Sequence, residues 1–418
     1  MAMDGTCEGR LQRPEWRRAT GALALMVALV CAGTSSMEAM DATAGRSIQR
    51  QAQVRSWILS NLSEGKTTAT GGMVGQPESM AGREDLTFNA GAGSECIALG
   101  KEPLSHIVRQ ASATNIVIIN EAHHAPQHRQ FVGDLLEALS KQGFNIYAAE
   151  TFGADSLDHP GVLATDGWYS NEPIFARTVR RAKALGYRLV AYEMTAQQDQ
   201  PSSVVGGENG QNRRERFQAE NLMAKVFSEQ PDAKVVIHVG GSHVYELSAG
   251  TRPEGVTWMA ERLKAATGRD PLTISQSICT AGGSATVVAT QRRGAGGQLL
   301  GQGGVDLLVG HPRLTFQDGR PIWRILIGDK PVPVPEGLLG GGEPVIAEAR
   351  PAAASLGEVP TDRVLLFAGE RRPLMLPPGR FRLDGFTAAG RVDAGPFHVE
   401  VHQDGRSPRQ PVNSRALR

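Results

Sequence analysis

The chain carries no excess of either charge: 44 basic against 43 acidic residues leave a net +1. With no basic stripe or charge run, a nucleic-acid footprint is excluded. Aromatic residues make up only 5%, so no stacking platform for bases or sugars stands out. No GxSxG elbow, HExxH, Walker loop or CxxC pair occurs. Serine hydrolases, zincins, P-loop enzymes and thioredoxins are therefore disfavoured. Long apolar runs are missing too. The longest lies near the N-terminus, from about Gly21 to Gly33 behind Arg10, Arg13, Arg17 and Arg18. It is short for a membrane span and has the layout of a secretory signal, with a candidate cleavage site at Val30-Cys31-Ala32. The expectation is a signal peptide over 1–33, a periplasmic or secreted mature chain, and no transmembrane span in it.

Cys7 and Cys31 fall in or before that segment, leaving Cys96 and Cys279. An oxidising compartment permits them to pair, and free buried thiols are the alternative. At 418 residues the chain exceeds the usual size of one core. Residues 34–92 read as a largely disordered linker with a short helix, in which Val54, Trp57, Ile58 and Leu62 have near-helical spacing. From 93 to 280 strand and helix alternate. Gly282–Gly304 is glycine-rich, so 281–304 reads as a linker, and 305–418 reads as a β-rich accessory region of short runs between turn signals. Val305–Val309, Ile322–Ile327, Val364–Phe367, Arg380–Leu383 and Phe397–Val401 are its strand candidates. The fold class is α/β: a mostly parallel sheet flanked by helices, with a small β-rich C-terminal region.

What is there in abundance is one short turn. Asn115–Asn120 is an apolar, β-branched strand run, and Val132, Leu135, Leu136 and Leu139 mark a helix face. Between them sit Glu121, His123, His124 and His128, three of the chain's ten histidines beside a glutamate. Parallel strands present their carboxyl ends on one edge, where ligands of open α/β sheets bind. Glu150 follows the apolar run Ile146–Ala149, Glu193 follows Arg188–Tyr192, and His238 and His243 flank a Gly-Gly turn. His238, inside an apolar run, reads as a core histidine. Glu121 and His124 suit a general base and its partner, or metal ligands; Arg214 suits an oxyanion clamp.

These residues resemble the erythromycin esterase-like, ChaN-like and Tiki superfamily over roughly Ile107 to Ile278. Glu121 and His124 stand at the Glu and His of its Gly-Glu-x-x-His motif, with Asn120 in place of the glycine. Glu150 matches its second-strand glutamate. Arg214, Glu215 and Asn221 match its helix signature, with Gln218 in place of a methionine, and His243 matches its late histidine. The resemblance implies an exported hydrolase in which Glu121, His124, Glu150, His243 and Arg214 direct water at an ester or amide carbonyl of a small-molecule or peptide substrate. Glu121, His124, Glu150 and His243 would be the ligands of a divalent metal if one takes part. The alternative it implies is a haem- or metal-binding protein of bacterial iron uptake, with His123, His128 and Tyr169 as haem ligands. Cell-envelope association is the partner expectation.

Overall fold

The computed structural model describes residues 42–63, 66–67, 75–87, 94–153, 157–246, 255–339, 341–394, 396–403 and 412–413. The expected signal segment lies outside the described residues. The chain divides into residues 1–46 and 47–418. Of the first unit only 42–46 are described, the opening of helix α1 (residues 42–61).

Nine strands form the central sheet: β1 (Glu95–Ala98), β2 (Ile116–Glu121), β3 (Ile146–Ala149), β4 (Arg188–Val190), β5 (Val235–Gly240), β6 (Leu272–Ser275), β7 (Val287–Arg293), β8 (Leu299–Gly301) and β9 (Leu307–Gly310). Their order is β8-β7-β9-β6-β2-β5-β3-β4, with β1 also on β7. Neighbours from β9 to β4 are parallel, while β7 pairs antiparallel with β9, β8 and β1. All six residues of β2 and of β5 are buried, which accounts for their mostly apolar character.

Side chains alternate between the two faces, as the strand period demands. On one face Val117, Ile119, Tyr147, Ala149 and Val236 pack against α3 (Pro103–Ala111), α4 (Pro126–Ser140) and α5 (Pro173–Ala184). On the other, Ile116, Ile118, Ala148, Val235 and Ile237 meet α6 (Gly210–Leu222) and α7 (Met259–Thr267). Each fully buried aliphatic side chain contributes about 1.5–3 kcal/mol. Cys96 and Cys279 form a disulfide with Cα atoms 5.2 Å apart.

Three stretches differ from the sequence expectation. Residues 75–87, read as linker, form a short helix α2 (Gln76–Met80) and a 3₁₀ turn, and are mostly buried. Arg83, 1% exposed, explains the order: it bonds Asp85 (3.0 Å), Glu370 (2.9 Å) and the carbonyl of Leu365 (3.1 Å). The glycine-rich 281–304 carries β7 and β8, because Val288 and Ala289 are buried side chains whose strand finds partners on both edges. Ile322–Ile327 is not a strand: α8 (Ile322–Leu326) occupies it. The remaining C-terminal strands include β10 (Val345–Pro351), β11 (Asp362–Leu366), β12 (Gly379–Thr387) and β13 (Phe397–Val401), antiparallel in the order β11-β10-β12-β13. Ile346 and Leu365 pack under Val54 and Ile58 of α1. This region is thus joined to the N-terminal helix rather than appended.

Candidate active site

β2, β5, β3 and β4 are neighbours, so their carboxyl ends form one continuous rim. Glu121 closes β2 and is 2% exposed. Both of its oxygens accept from the Arg129 guanidinium at 2.8 Å. Arg129 stands in the second turn of α4 and also reaches Glu172 (3.1 Å) and the carbonyl of His123 (2.8 Å). Burial pushes the Glu121 carboxyl up, but Arg129, His238 and His123 outweigh it and hold the group well below the usual carboxylate range. Glu121 is therefore a fixed anion. His238 lies behind it, Nε2 3.1 Å from Glu121 Oε2 and Nδ1 bonded to the Tyr147 hydroxyl at 2.9 Å.

The imidazole that Glu121 holds belongs to His123, not His124. His123 Nδ1 lies 2.9 Å from Glu121 Oε1. A carboxylate only accepts, so this nitrogen carries a proton, and in the neutral ring it is Nε2 that holds the lone pair. Tyr169 stacks on the ring at 3.8 Å between centroids. A Cβ built on Gly240 would fall 2.5 Å from His123 Nε2 and 3.0 Å from Glu150 Oε2. Glycine at 240 is thus required by close approach, with His123 Nε2 and the Glu150 carboxylate both packed against it. His124 packs against the start of α2 instead: a Cβ on Gly75 would meet the His124 Cβ at 2.6 Å. Burial, with Arg129 and His123 nearby, lowers its pKa. His128 is a support. Its Nδ1 accepts from the Ala122 N–H at 3.1 Å, its ring stacks on His311 at 4.9 Å, and burial holds both rings neutral, His311 down to about 3.

Glu150, at the end of β3, accepts from Arg214 Nη2 at 2.6 Å and from the Gly240 N–H. Burial raises its pKa, but His243, Arg214 and His123 bring it down to about 2. Arg214, in the second turn of α6, also bonds Glu193 (3.0 Å) and His243 Nε2 (3.1 Å). On its far side His243 bonds Glu215 through Nδ1 at 2.9 Å, and the Met259 N–H fixes Glu215 at 2.8 Å. Burial lowers the His243 pKa, but Glu150 and Glu215 outweigh it and raise the group. Nε2 accepts from Arg214 in this arrangement; once protonated it gives up that bond and faces Glu150 Oε1, 3.9 Å away.

Two imidazoles, each held by a glutamate on Nδ1, thus flank one carboxylate, and that carboxylate, unlike either ring, lines a cleft of about 580 Å³. Glu150, Tyr169, Glu193 and Arg214 line it, together with Trp168 and Met194. The expected ligands do not fit a metal. Arg129 fills the cation position on Glu121 and Arg214 the one between Glu150 and Glu193. Among the described residues no group of three or more His, Cys, Asp or Glu is arranged to hold a metal ion. Nor do His123, His128 and Tyr169 form one set for haem, since Tyr169 covers His123 and His128 is turned inward.

Residues that sequence reasoning left out give the site its rigidity. Arg129 could have been noticed as a cation near the start of a helix, where it opposes the macrodipole unless a strand-end anion faces it. Asn120 donates to the Gly241 carbonyl (2.8 Å) and accepts from the Gln276 N–H (2.7 Å), tying the ends of β2, β5 and β6 together. A glycine at 120 would lack those bonds.

No family profile matches the chain, and no curated protein matches it. Among solved structures, one described as "Bacterial protein toxins" is 20% identical, covering 39% of this chain and 36% of its own, at a TM-score of 0.29. RRSP, a MARTX toxin effector domain from Vibrio vulnificus CMCP6, is 17% identical, covering 57% and 47%, at a TM-score of 0.28. A third, described as a crystal structure of bacterial protein toxins, is 19% identical, covering 46% and 43%, at 0.25. The chain therefore spans less than half the length of each solved chain it matches.

Proposed function

We propose that this chain is an exported hydrolase of ester or amide bonds that works by acid–base catalysis between His123 and His243. The observation that carries the reading is the pair of glutamate-held imidazoles whose Nε2 atoms stand on either side of the Glu150–Gly240 contact, that of His243 also accepting from Arg214. His123 Nε2 removes a proton from water as the water oxygen attacks the carbonyl carbon. The oxyanion forms against Arg214, whose side chain is 30% exposed at the cleft. As the intermediate collapses, the carbonyl carbon–heteroatom bond breaks and its electrons leave with the heteroatom. That atom takes a proton from His243 Nε2, and exchange with solvent resets both rings. Ionised Glu150 stabilises whichever ring is charged. Glu121 and Glu215 are positioning residues that fix tautomer and orientation.

The motif resemblance supports hydrolysis, and the Cys96–Cys279 disulfide supports an oxidising compartment. No step runs through a metal or haem. The test is turnover on a panel of esters and peptides with His123→Ala and His243→Ala. Each is expected to lower kcat by about 10²–10⁴-fold, the usual worth of a positioned proton-transfer group. A rate unchanged in both would end the assignment.

A further inference from the structure

Within the cleft, Arg214 counters Glu150 and Glu193. At its edge stand two other cations, Arg50 of α1 and Lys225. Among the described residues neither pairs with a carboxylate. Arg50 Nη1 bonds Gln53 Oε1 at 3.2 Å, and its guanidinium lies over the Trp168 ring at 5.3 Å. Lys225 Nζ bonds only the carbonyl of Ala191, at 2.6 Å. Their neighbours on α6 behave differently: Arg213 pairs with Asp199, and Arg216 with Glu208 and Glu220. Lys225 is also carried on an unusual backbone, the π-helical turn Met223–Phe227 that ends α6. Such single turns shift the direction of the residues they carry and recur at functional sites. The same cleft also offers apolar surface: Trp168, set edge-on against Trp57 at 5.0 Å, with Tyr169 and Met194.

We infer that the cleft selects substrates in which an apolar body carries an anionic group, the body resting on Trp168 and the anion reaching Arg50 and Lys225. This rests on the hydrolase reading and narrows its substrate class. A charge-assisted hydrogen bond contributes about 1.5–3 kcal/mol, or roughly ten- to a hundredfold in binding. Carboxylate and phosphate share that chemistry.

The experiment compares nitrophenyl hexanoate with nitrophenyl esters of the same chain length ending in carboxylate, phosphonate or ammonium. It uses the full chain and the Arg50→Gln/Lys225→Gln double variant. The anionic esters should exceed the neutral one by about tenfold or more in kcat/KM, and the ammonium ester should be poorest. In the double variant that preference should vanish while the neutral ester is turned over at an unchanged rate. The carboxylate and phosphonate arms decide which anion is preferred. Equal values across the esters in the wild-type chain would overturn the inference, as would a preference that survives both substitutions. Should no ester be turned over at all, the hydrolase reading fails separately. Calorimetric titration with adipate and with hexylphosphonate then decides the binding claim: saturable binding lost in the double variant upholds it, and none in the wild-type chain overturns it.

Discussion

Two regions of this molecule concentrate charge, and they use it differently. At the rim of the central sheet, Glu150 and Glu193 share Arg214, and the group faces a cleft. Beneath the C-terminal sheet, Glu348 accepts from Arg350 (2.6 Å), Arg363 (2.7 Å) and Arg55 (3.0 Å), with Glu348, Arg350 and Arg363 at 0% exposure. In both places burial raises a carboxyl and neighbouring cations bring it back down, His243, Arg214 and His123 at Glu150 and three arginines at Glu348. A depressed carboxylate is therefore no mark of a site. What separates the two is an imidazole with a free nitrogen and a volume for a reactant. The rim has both, and the lower cluster has neither.

The largest effect is expected from breaking the buried cluster. Glu348→Ala would leave three arginines facing one another without their shared anion. Removing one partner of a buried pair costs about 3–5 kcal/mol, so the urea midpoint should fall steeply or the chain should fail to fold. An unchanged midpoint would mean the cluster contributes nothing. At the rim the same kind of change should act on rate instead. Glu121→Gln, which disturbs the tautomer of His123, should lower kcat by about a hundredfold, the low end for proton transfer. His124→Ala should leave it alone, and equal losses in both variants would put His124 back in the site. Third comes the disulfide, which belongs to neither cluster. Replacing Cys96 and Cys279 by serine should cost about 2–5 kcal/mol of stability, read from the same urea titration, with kcat in native buffer unchanged.

The parallel sheet was legible because β2, β3 and β5 are mainly apolar runs with polar residues at or just beyond their ends. Strand-end convergence likewise placed Glu121, Glu150, Glu193 and His243 on one rim, which Arg214 reaches from α6. The choice between His123 and His124 was not legible. Both fall in an irregular turn with no periodicity, and only Gly240, on a distant strand, leaves room for the His123 ring. The ordered segment 75–87 was misread for a related reason: its partners, Leu365 and Glu370, lie nearly three hundred residues away. Glycine content misled at 281–304, where β7 and the edge strand β8 form in spite of it.

The smallest expected effect, and the sharpest separation of the two regions, lies in pH. Glu150 and Glu348 have folded-state pKa values below those of the unfolded chain. Their contribution is present above about pH 4.5 and is lost as pH falls toward the folded value, about 2 for Glu150. Neutral His128 and His311 add to this acid loss, because the unfolded chain takes up their protons more readily below about 6.5. His243 has the opposite sign. Its raised pKa gives a contribution that is full below about 6.5 and lost as pH rises through the folded value. The rim should therefore confer both an acid and an alkaline limb, while the Glu348 cluster, which holds no histidine, confers only the acid one. Subtracting the unfolding free energy of His243→Gln from that of the wild-type chain across pH should isolate the alkaline limb. A difference that stays flat above pH 6.5 would mean that His243 is not held in its charged form by Glu150 and Glu215. The rim would then lose its proton donor.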